Sequence, residues 1–249
     1  MTWSYDAIAD VYATDMGASM PFDDVGWYAR FCRARGGRVL ELGCGSGRIL
    51  VELLAGAIDA IGVDRSLPML RRLRKDAGAR GIDARVAQMD LRALALEARF
   101  DTILAPYSLV TYLTRADDLA RVVTACRALL GPGGALVLDA FVPQPVAAYE
   151  GFRLDYRRAH GDGMLERSKR ITPLADGCNR IERHYRLDDA DGRTLEDFHT
   201  DETIRPYAEA DLVACGLAAG FLHEASVHDY ATPGDAPAPR FATVILRAA

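Results

Sequence analysis

From Arg38 to Phe141 short apolar runs alternate with amphipathic segments, the pattern of β-α-β units that feed a mostly parallel sheet. The runs Arg38–Leu42, Ala60–Val63, Ala84–Ala87, Asp101–Ala105 and Ala135–Ala140 are predicted as strands. Helices are predicted over Arg48–Leu54, Ser66–Gly78 and Arg115–Leu130, the last ended by Gly131-Pro132-Gly133-Gly134. Ser66 with Pro68 marks a helix entrance, because a hydroxyl caps free N–H groups and proline has none to satisfy. Beyond Pro143 and Pro145 the period changes. In Ile181, Arg183, Tyr185 and Leu187 the odd positions are mainly apolar, while Arg180, Glu182, His184 and Arg186 are polar, which predicts half-buried antiparallel strands. Asp162-Gly163, Asp176-Gly177 and Asp191-Gly192 supply turns between such runs. A helix over Glu209–Ala219, ended by Gly220, and strands over Phe221–Val227 and Phe241–Arg247 close the chain around a Pro-rich loop.

A chain of 249 residues, half of them hydrophobic and 26% charged, suits one globular α/β domain with an insertion. Its net charge of −5 offers no basic footprint for a phosphate backbone, so nucleic acid is not expected as a partner. The longest apolar stretches, such as Gly134–Val142, fall far short of the roughly 20 residues that span a bilayer. Asp6 and Asp10 stand where a signal peptide needs a basic and then an apolar segment. No membrane association and a cytoplasmic location are therefore expected. Cys32, Cys44, Cys126, Cys178 and Cys215 are odd in number and form no C-x-x-C, which indicates neither a disulfide framework nor a thiolate metal site. His223 and His228, five apart, fall on opposite faces of a strand, and no metal is expected.

The most informative segment runs from Val39-Leu40-Glu41-Leu42 through Gly43-Cys44-Gly45-Ser46-Gly47 into a helix. Glycines let the backbone approach a ligand closely, and a following helix offers free N–H groups, so a nucleotide-like cofactor belongs here. The third glycine of a dinucleotide fingerprint is replaced by Arg48, and Glu41 would repel a pyrophosphate but tolerate a cation. Asp64, at the end of the next strand, stands where an acid accepts hydrogen bonds from ribose hydroxyls. Its alternative role is to cap the helix at Ser66. Asp90 follows the third strand and is placed to read an adenine edge between apolar walls from Met89 and Leu91. Cys44 also reads as a packed small residue, Arg48 as a solvated helix-start side chain, and Glu41 alternatively as half of a structural ion pair.

Together these residues resemble the class I S-adenosylmethionine-dependent methyltransferases. Glu41 to Arg48 (ELGCGSGR) resembles the first motif of that family, Asp64 its ribose acid and Asp90 its adenine acid; Phe100-Asp101-Thr102-Ile103-Leu104 resembles the fourth strand and LLGPGGALVL the fifth. The resemblance implies a Rossmann-like seven-stranded mostly parallel sheet with helices on both faces and an antiparallel insertion between the fifth and sixth strands. It implies one methyltransferase domain over 1–249: a helical lid at 1–34, a cofactor core at 35–145, an insertion at 150–205 forming a wall of the acceptor pocket, and a closing part at 206–249. Arg65, Met69 and Ala105 are further cofactor contacts implied by the resemblance to S-adenosylmethionine-dependent methyltransferases. Tyr5-Asp6-Ala7-Ile8-Ala9-Asp10-Val11-Tyr12 resembles the lid of small-molecule methyltransferases, which gives Tyr12 a place on the methionine carboxylate and Tyr5 one facing the acceptor, with Trp3 at the lid's start.

After the fourth strand the chain reads Ala105-Pro106-Tyr107-Ser108, not the [D/N]-P-P-[Y/F] that grips adenine or amide substrates. The segment from Arg193 to Phe221 resembles aminosugar, glycine-type and toxoflavin-type N-methyltransferases. The implied function is transfer of methyl from S-adenosyl-L-methionine to a nitrogen of a small secondary-metabolite acceptor, with positioning as the main service of the protein. Tyr107, His184 and His199 are candidates to take or relay a proton. An O-methyltransferase on the same fold, a cofactor-binding protein without transfer activity and, third, a nicotinamide oxidoreductase are the competing readings.

Overall fold

The computed structural model describes residues 4–17, 20–146, 150–231 and 238–249. In chain order its helices are α1 (Ser4–Ala7), α2 (Tyr12–Gly17), α3 (Asp24–Arg35), α4 (Leu50–Ala55), α5 (Leu67–Ala79), α6 (Asp118–Leu129) and α7 (Glu209–Ala218). Its strands are β1 (Val39–Leu42), β2 (Ala60–Asp64), β3 (Val86–Gln88), β4 (Phe100–Ala105), β5 (Leu130–Phe141), β6 (Arg153–His160), β7 (Gly163–Pro173), β8 (Asn179–Asp188), β9 (Thr194–Ile204), β10 (Phe221–His228) and β11 (Phe241–Ala248). They divide into two compact units, one of Met1–Pro21 with Gln144–Pro206 and one of Phe22–Pro143 with Tyr207–Ala249.

The second unit carries a seven-stranded sheet in the order β10-β11-β5-β4-β1-β2-β3. Neighbours from β3 to β5 are parallel, while β11 runs antiparallel to both β5 and β10. All four residues of β1 are buried, as parallel strands covered on both faces require. Leu40, Leu42, Val63, Ile103, Leu136 and Leu138 join Val123, Leu212 and Leu246 in one core cluster. This is the Rossmann-like mostly parallel sheet expected from the sequence. Strand β5 begins at Leu130, ahead of the expected Ala135, because Leu130 pairs with Phe100 before the register shifts to Thr102 opposite Ala135. The glycine-rich stretch after α6 is thereby drawn into the sheet instead of standing apart as a turn. Ser66 caps α5 as expected, its Oγ accepting from the Met69 N–H at 3.3 Å.

The first unit holds an antiparallel sheet in the order β6-β7-β8-β9. Tyr156, Arg167, Tyr185 and Phe198 stand opposite one another across its four strands. The first three converge on the carboxylate of buried Asp15 in α2: Tyr156 and Arg167 donate to Oδ1, and Tyr185 donates to Oδ2 at 3.3 Å. Arg158 donates to the Asp15 and Thr14 carbonyls, and Thr14 Oγ1 pairs with His160 Nδ1 at 2.8 Å. Residues 4–17 are therefore fastened to this sheet. The expected 1–34 segment is split, since α3 belongs to the second unit, where Tyr28 and Cys32 are buried. Trp3 and positions 232–237 of the Pro-rich loop lie outside the described residues. Among the described residues no helix is long and apolar enough to cross a membrane.

Candidate functional site

The sheet of the second unit changes direction at β1, with β2 and β3 on one side and β4 and β5 on the other. Ligands of open α/β sheets bind at such a switch, beyond the carboxyl ends of the strands. Gly43 and Gly45 there take φ of 63° and 52°, left-handed values that glycine adopts without penalty. A Cβ at Gly43 would strike Leu109 at 2.6 Å, whereas at Gly45 the nearest atom is the Gly43 carbonyl oxygen at 4.0 Å. The loop is closed by Leu109 at its start and open at Gly45, where its backbone can be approached. Leu109 has no motif to announce it and was not legible in the sequence.

Asp64 braces this loop. Its Oδ2 accepts from the Gly45 N–H at 2.9 Å and its Oδ1 from the Ser66 N–H at 2.7 Å, so it serves the glycine loop and the entrance of α5 together. Carboxylate oxygens accept more than one hydrogen bond, which keeps this brace compatible with a ribose contact. The Met89 N–H donates to the Asp64 carbonyl at 2.9 Å, joining the ends of β2 and β3 into one rim. Glu41, buried on β1, has an Oε2 without a hydrogen-bond partner among the described residues. Burial pushes its carboxyl up to about 8, against the pull of the Arg48 guanidinium and with the help of Asp64. Arg48 is not the solvated side chain expected: it grips buried Asp24 of α3 through two bonds of 2.7 and 2.6 Å, with its guanidinium 5.7 Å from the centre of the Tyr107 ring.

Other expected contacts are placed differently. Asp90 caps the short turn at Leu91–Ala93 and closes a bidentate pair with Arg92, whose hydrogen bonds hold its carboxyl below the usual range. The carboxylate expected at an adenine edge is thus engaged by a neighbouring guanidinium. Met69 is fully buried and Ala105 nearly so, and neither side chain presents surface to a ligand. Cys44 is a buried spacer, since a Cβ on Gly62 would lie 2.7 Å from its Sγ. Arg65 is exposed, its carbonyl accepting from the Gln88 side-chain amide at 3.0 Å, and Leu91 packs partly buried beside Met89.

Tyr107 sits just past β4, and both it and Ser108 have left-handed backbones with φ of 51° and 55°. Asp139, fully buried on β5, holds this bend: its Oδ2 accepts from the Tyr107 N–H at 3.0 Å, the Tyr28 hydroxyl at 2.5 Å and the Tyr230 hydroxyl at 2.6 Å. Burial raises the Asp139 carboxyl above the usual range while these donors draw it back. The sequence signal for Asp139 is that it is an isolated acid amid the apolar run of β5.

In the first unit Tyr5 and Tyr12 meet edge to face, ring centres 5.8 Å apart. His184 and His199 stand opposite each other on β8 and β9 with rings 4.4 Å apart and 11° from parallel, and His184 Nε2 lies 2.8 Å from Asp197 Oδ1. Each of these groups is internal to its own unit. His184, Asp197 and His199 have their ligand atoms within 4.8 Å of one another, a proximity that the strand register brings about.

S-adenosylmethionine, implied by the sequence resemblance, combines an ammonium, a ribose diol and an adenine. The partnerless carboxyl oxygen of Glu41, the cradle open at Gly45 and the strand-end carboxylate of Asp64 fit those groups in kind. Residues 39–134 match a family described as "Methyltransferase domain". The chain is 26% identical over 186 residues to a dTDP-3-amino-3,4,6-trideoxy-alpha-D-glucopyranose N,N-dimethyltransferase of Streptomyces venezuelae, covering 75% of this chain and 76% of the relative. It is 29% identical over 126 residues to an Azotobacter vinelandii ubiquinone biosynthesis O-methyltransferase, 49% of this chain and about half, 52%, of that relative's length. The solved structure of the CcbJ methyltransferase from Streptomyces caelestis superposes with a TM-score of 0.82 at 25% identity, over 99% of this chain and 98% of that one. By family match residues 39–134 are a methyltransferase domain, and the chain has the class I S-adenosylmethionine-dependent methyltransferase fold.

Proposed function

We propose that the protein methylates a nitrogen of a small natural-product acceptor of the aminosugar kind. The extent of similarity carries this reading. A match of 186 residues in a chain of 249 must include positions 64–186, and so reaches into the antiparallel insertion. The match to the O-methyltransferase relative, 126 residues long, need not reach the insertion at 150–205.

S-adenosylmethionine supplies an electrophilic methyl group on a sulfonium centre. Asp64 accepts from the ribose hydroxyls, Glu41 balances the ammonium, and the backbone at Gly43 and Gly45 lets the methionine part lie close. Met89 and Leu91 give the adenine an apolar seat, and Tyr12 binds the methionine carboxylate. A neutral amine needs no base to attack, so the barrier falls mainly by holding acceptor and methyl in line, worth roughly 7–11 kcal/mol. Tyr107, fixed by Asp139, orients the acceptor with its hydroxyl, and Tyr5 is a second orienting group. Acceptor selection belongs to the insertion.

The test is incubation of the pure protein with S-adenosylmethionine and a panel of nucleotide-linked aminosugars and hydroxylated aromatics, read by mass spectrometry. Methylation of amines supports the reading. Methylation confined to hydroxyl groups overturns it in favour of the O-methyltransferase alternative.

A further inference from the structure

On the antiparallel sheet, side chains alternate between two faces. Tyr185 points to the face held by Asp15 of α2, so its neighbour His184 points to the other. His199 is the register partner of His184, and Asp197, two residues earlier on β9, shares the face of His199. The ligand atoms of His184, Asp197 and His199 all lie within 4.8 Å of one another. Metal bonds of about 2.0–2.1 Å to imidazole nitrogen and carboxylate oxygen place neighbouring ligand atoms of a tetrahedral site about 3.3 Å apart. The 2.8 Å between His184 Nε2 and Asp197 Oδ1 and the 4.8 Å limit bracket that spacing. Rotation of partly exposed side chains closes the remainder.

The surroundings suit an ion. Strand β9 is an edge of its sheet, so no further strand covers that flank. Arg186, opposite Asp197, directs its Nε to Asp188 at 2.8 Å, while its charge also acts on the Asp197 carboxylate that the ion would share. Phe152 lies edge-on to both imidazoles, 6.3 and 5.7 Å between centres, and gives the pair an apolar flank.

We propose that His184, Asp197 and His199 form a three-ligand site for a borderline transition-metal ion, zinc above all. Two imidazoles and one carboxylate favour zinc, cobalt or nickel over magnesium or calcium, which take oxygen ligands. Three protein ligands leave at least one coordination position for water or an external donor. The ion replaces the proton shared between His184 and Asp197. This assignment is independent of which acceptor the enzyme methylates.

The test uses tag-free full-length protein, stripped with chelator, then titrated with zinc chloride by calorimetry and with cobalt chloride by visible absorption. One equivalent of zinc is expected to bind at micromolar or tighter affinity, and cobalt to develop the ligand-field bands of a protein-bound ion. His199→Ala and Asp197→Asn should each weaken zinc binding by at least about tenfold, while a His223→Ala/His228→Ala double variant should not. Absence of binding in the wild-type protein overturns the proposal, as does binding that survives a folded His184→Ala/His199→Ala double variant.

Discussion

Glu41 is a buried acid whose carboxyl is pushed up to about 8, chiefly by burial. Such a group holds its proton at neutral pH until a cation comes beside it. Binding of S-adenosylmethionine or its demethylated product at pH 7 should therefore release protons. Calorimetry in buffers of different ionisation enthalpy should show buffer-dependent heats for the wild type and not for Glu41→Gln. The same carboxyl shapes stability without ligand. Its folded pKa is raised, so the unfolded chain gives up the proton first, and stability falls as pH rises from about 4.5 to about 8. Glu41→Gln should flatten that slope in a thermal-melt series. Asp64→Ala should weaken cofactor binding ten- to hundred-fold, about 1.5–3 kcal/mol, and lower the melting temperature, since Gly45 and Ser66 lose their acceptor too. Unchanged calorimetric affinity would remove Asp64 from the ribose. The glycines, Glu41 and Asp64 were legible because a loop between a strand and a helix, and an acid at a strand end, are local patterns. Leu109 and Asp139 act across long sequence separations, and the pairing of Asp90 with Arg92 is one of many that exposed charges can make.

At the scale of elements, periodicity identified the strands and helices of the sheet, and it missed the early start of β5 because glycines and a proline seldom mark a paired segment. Alternation also identified the insertion as antiparallel. Register across β8 and β9 is set by pairing and not by composition, and so the meeting of His184, Asp197 and His199 was not legible. The resemblance implies a helical lid at 1–34, and within it Asp15 of α2 is buried beneath Tyr156, Arg167 and Tyr185 of the antiparallel sheet. Hydrogen exchange should show the amides of α2 exchanging together with β6–β9. Asp15→Asn should uncouple them and destabilise the protein by about 2–3 kcal/mol, less than for a fully isolated pair because Arg167 keeps Asp155. Independent fast exchange of α2 in the wild type would overturn this coupling.

In the whole molecule, every member of the main core cluster belongs to Phe22–Pro143 or Tyr207–Ala249. A chain lacking Met1–Pro21, with a short Gly/Ser linker in place of Gln144–Pro206, should therefore fold and bind the product cofactor while failing to transfer methyl. Tyr12 is the one cofactor candidate it lacks, and Tyr12→Phe in the intact protein measures that share. Loss of cofactor binding from the shortened chain, with helical and strand content intact, would move the cofactor site out of the second unit.

The contacts of Asp15 also set an order of events during synthesis. Its partners Tyr156, Arg167 and Tyr185 follow it by 141, 152 and 170 residues. At ribosomal rates of about 5–20 residues per second, the first helices wait roughly 7–34 s for the groups that fasten them. Throughout that interval Asp15 is hydrated and α2, only six residues long, is too short to persist alone. The segment around Asp15 is thus fixed long after it is made, and a nascent chain stalled before Tyr185 should keep residues 4–17 open to protease.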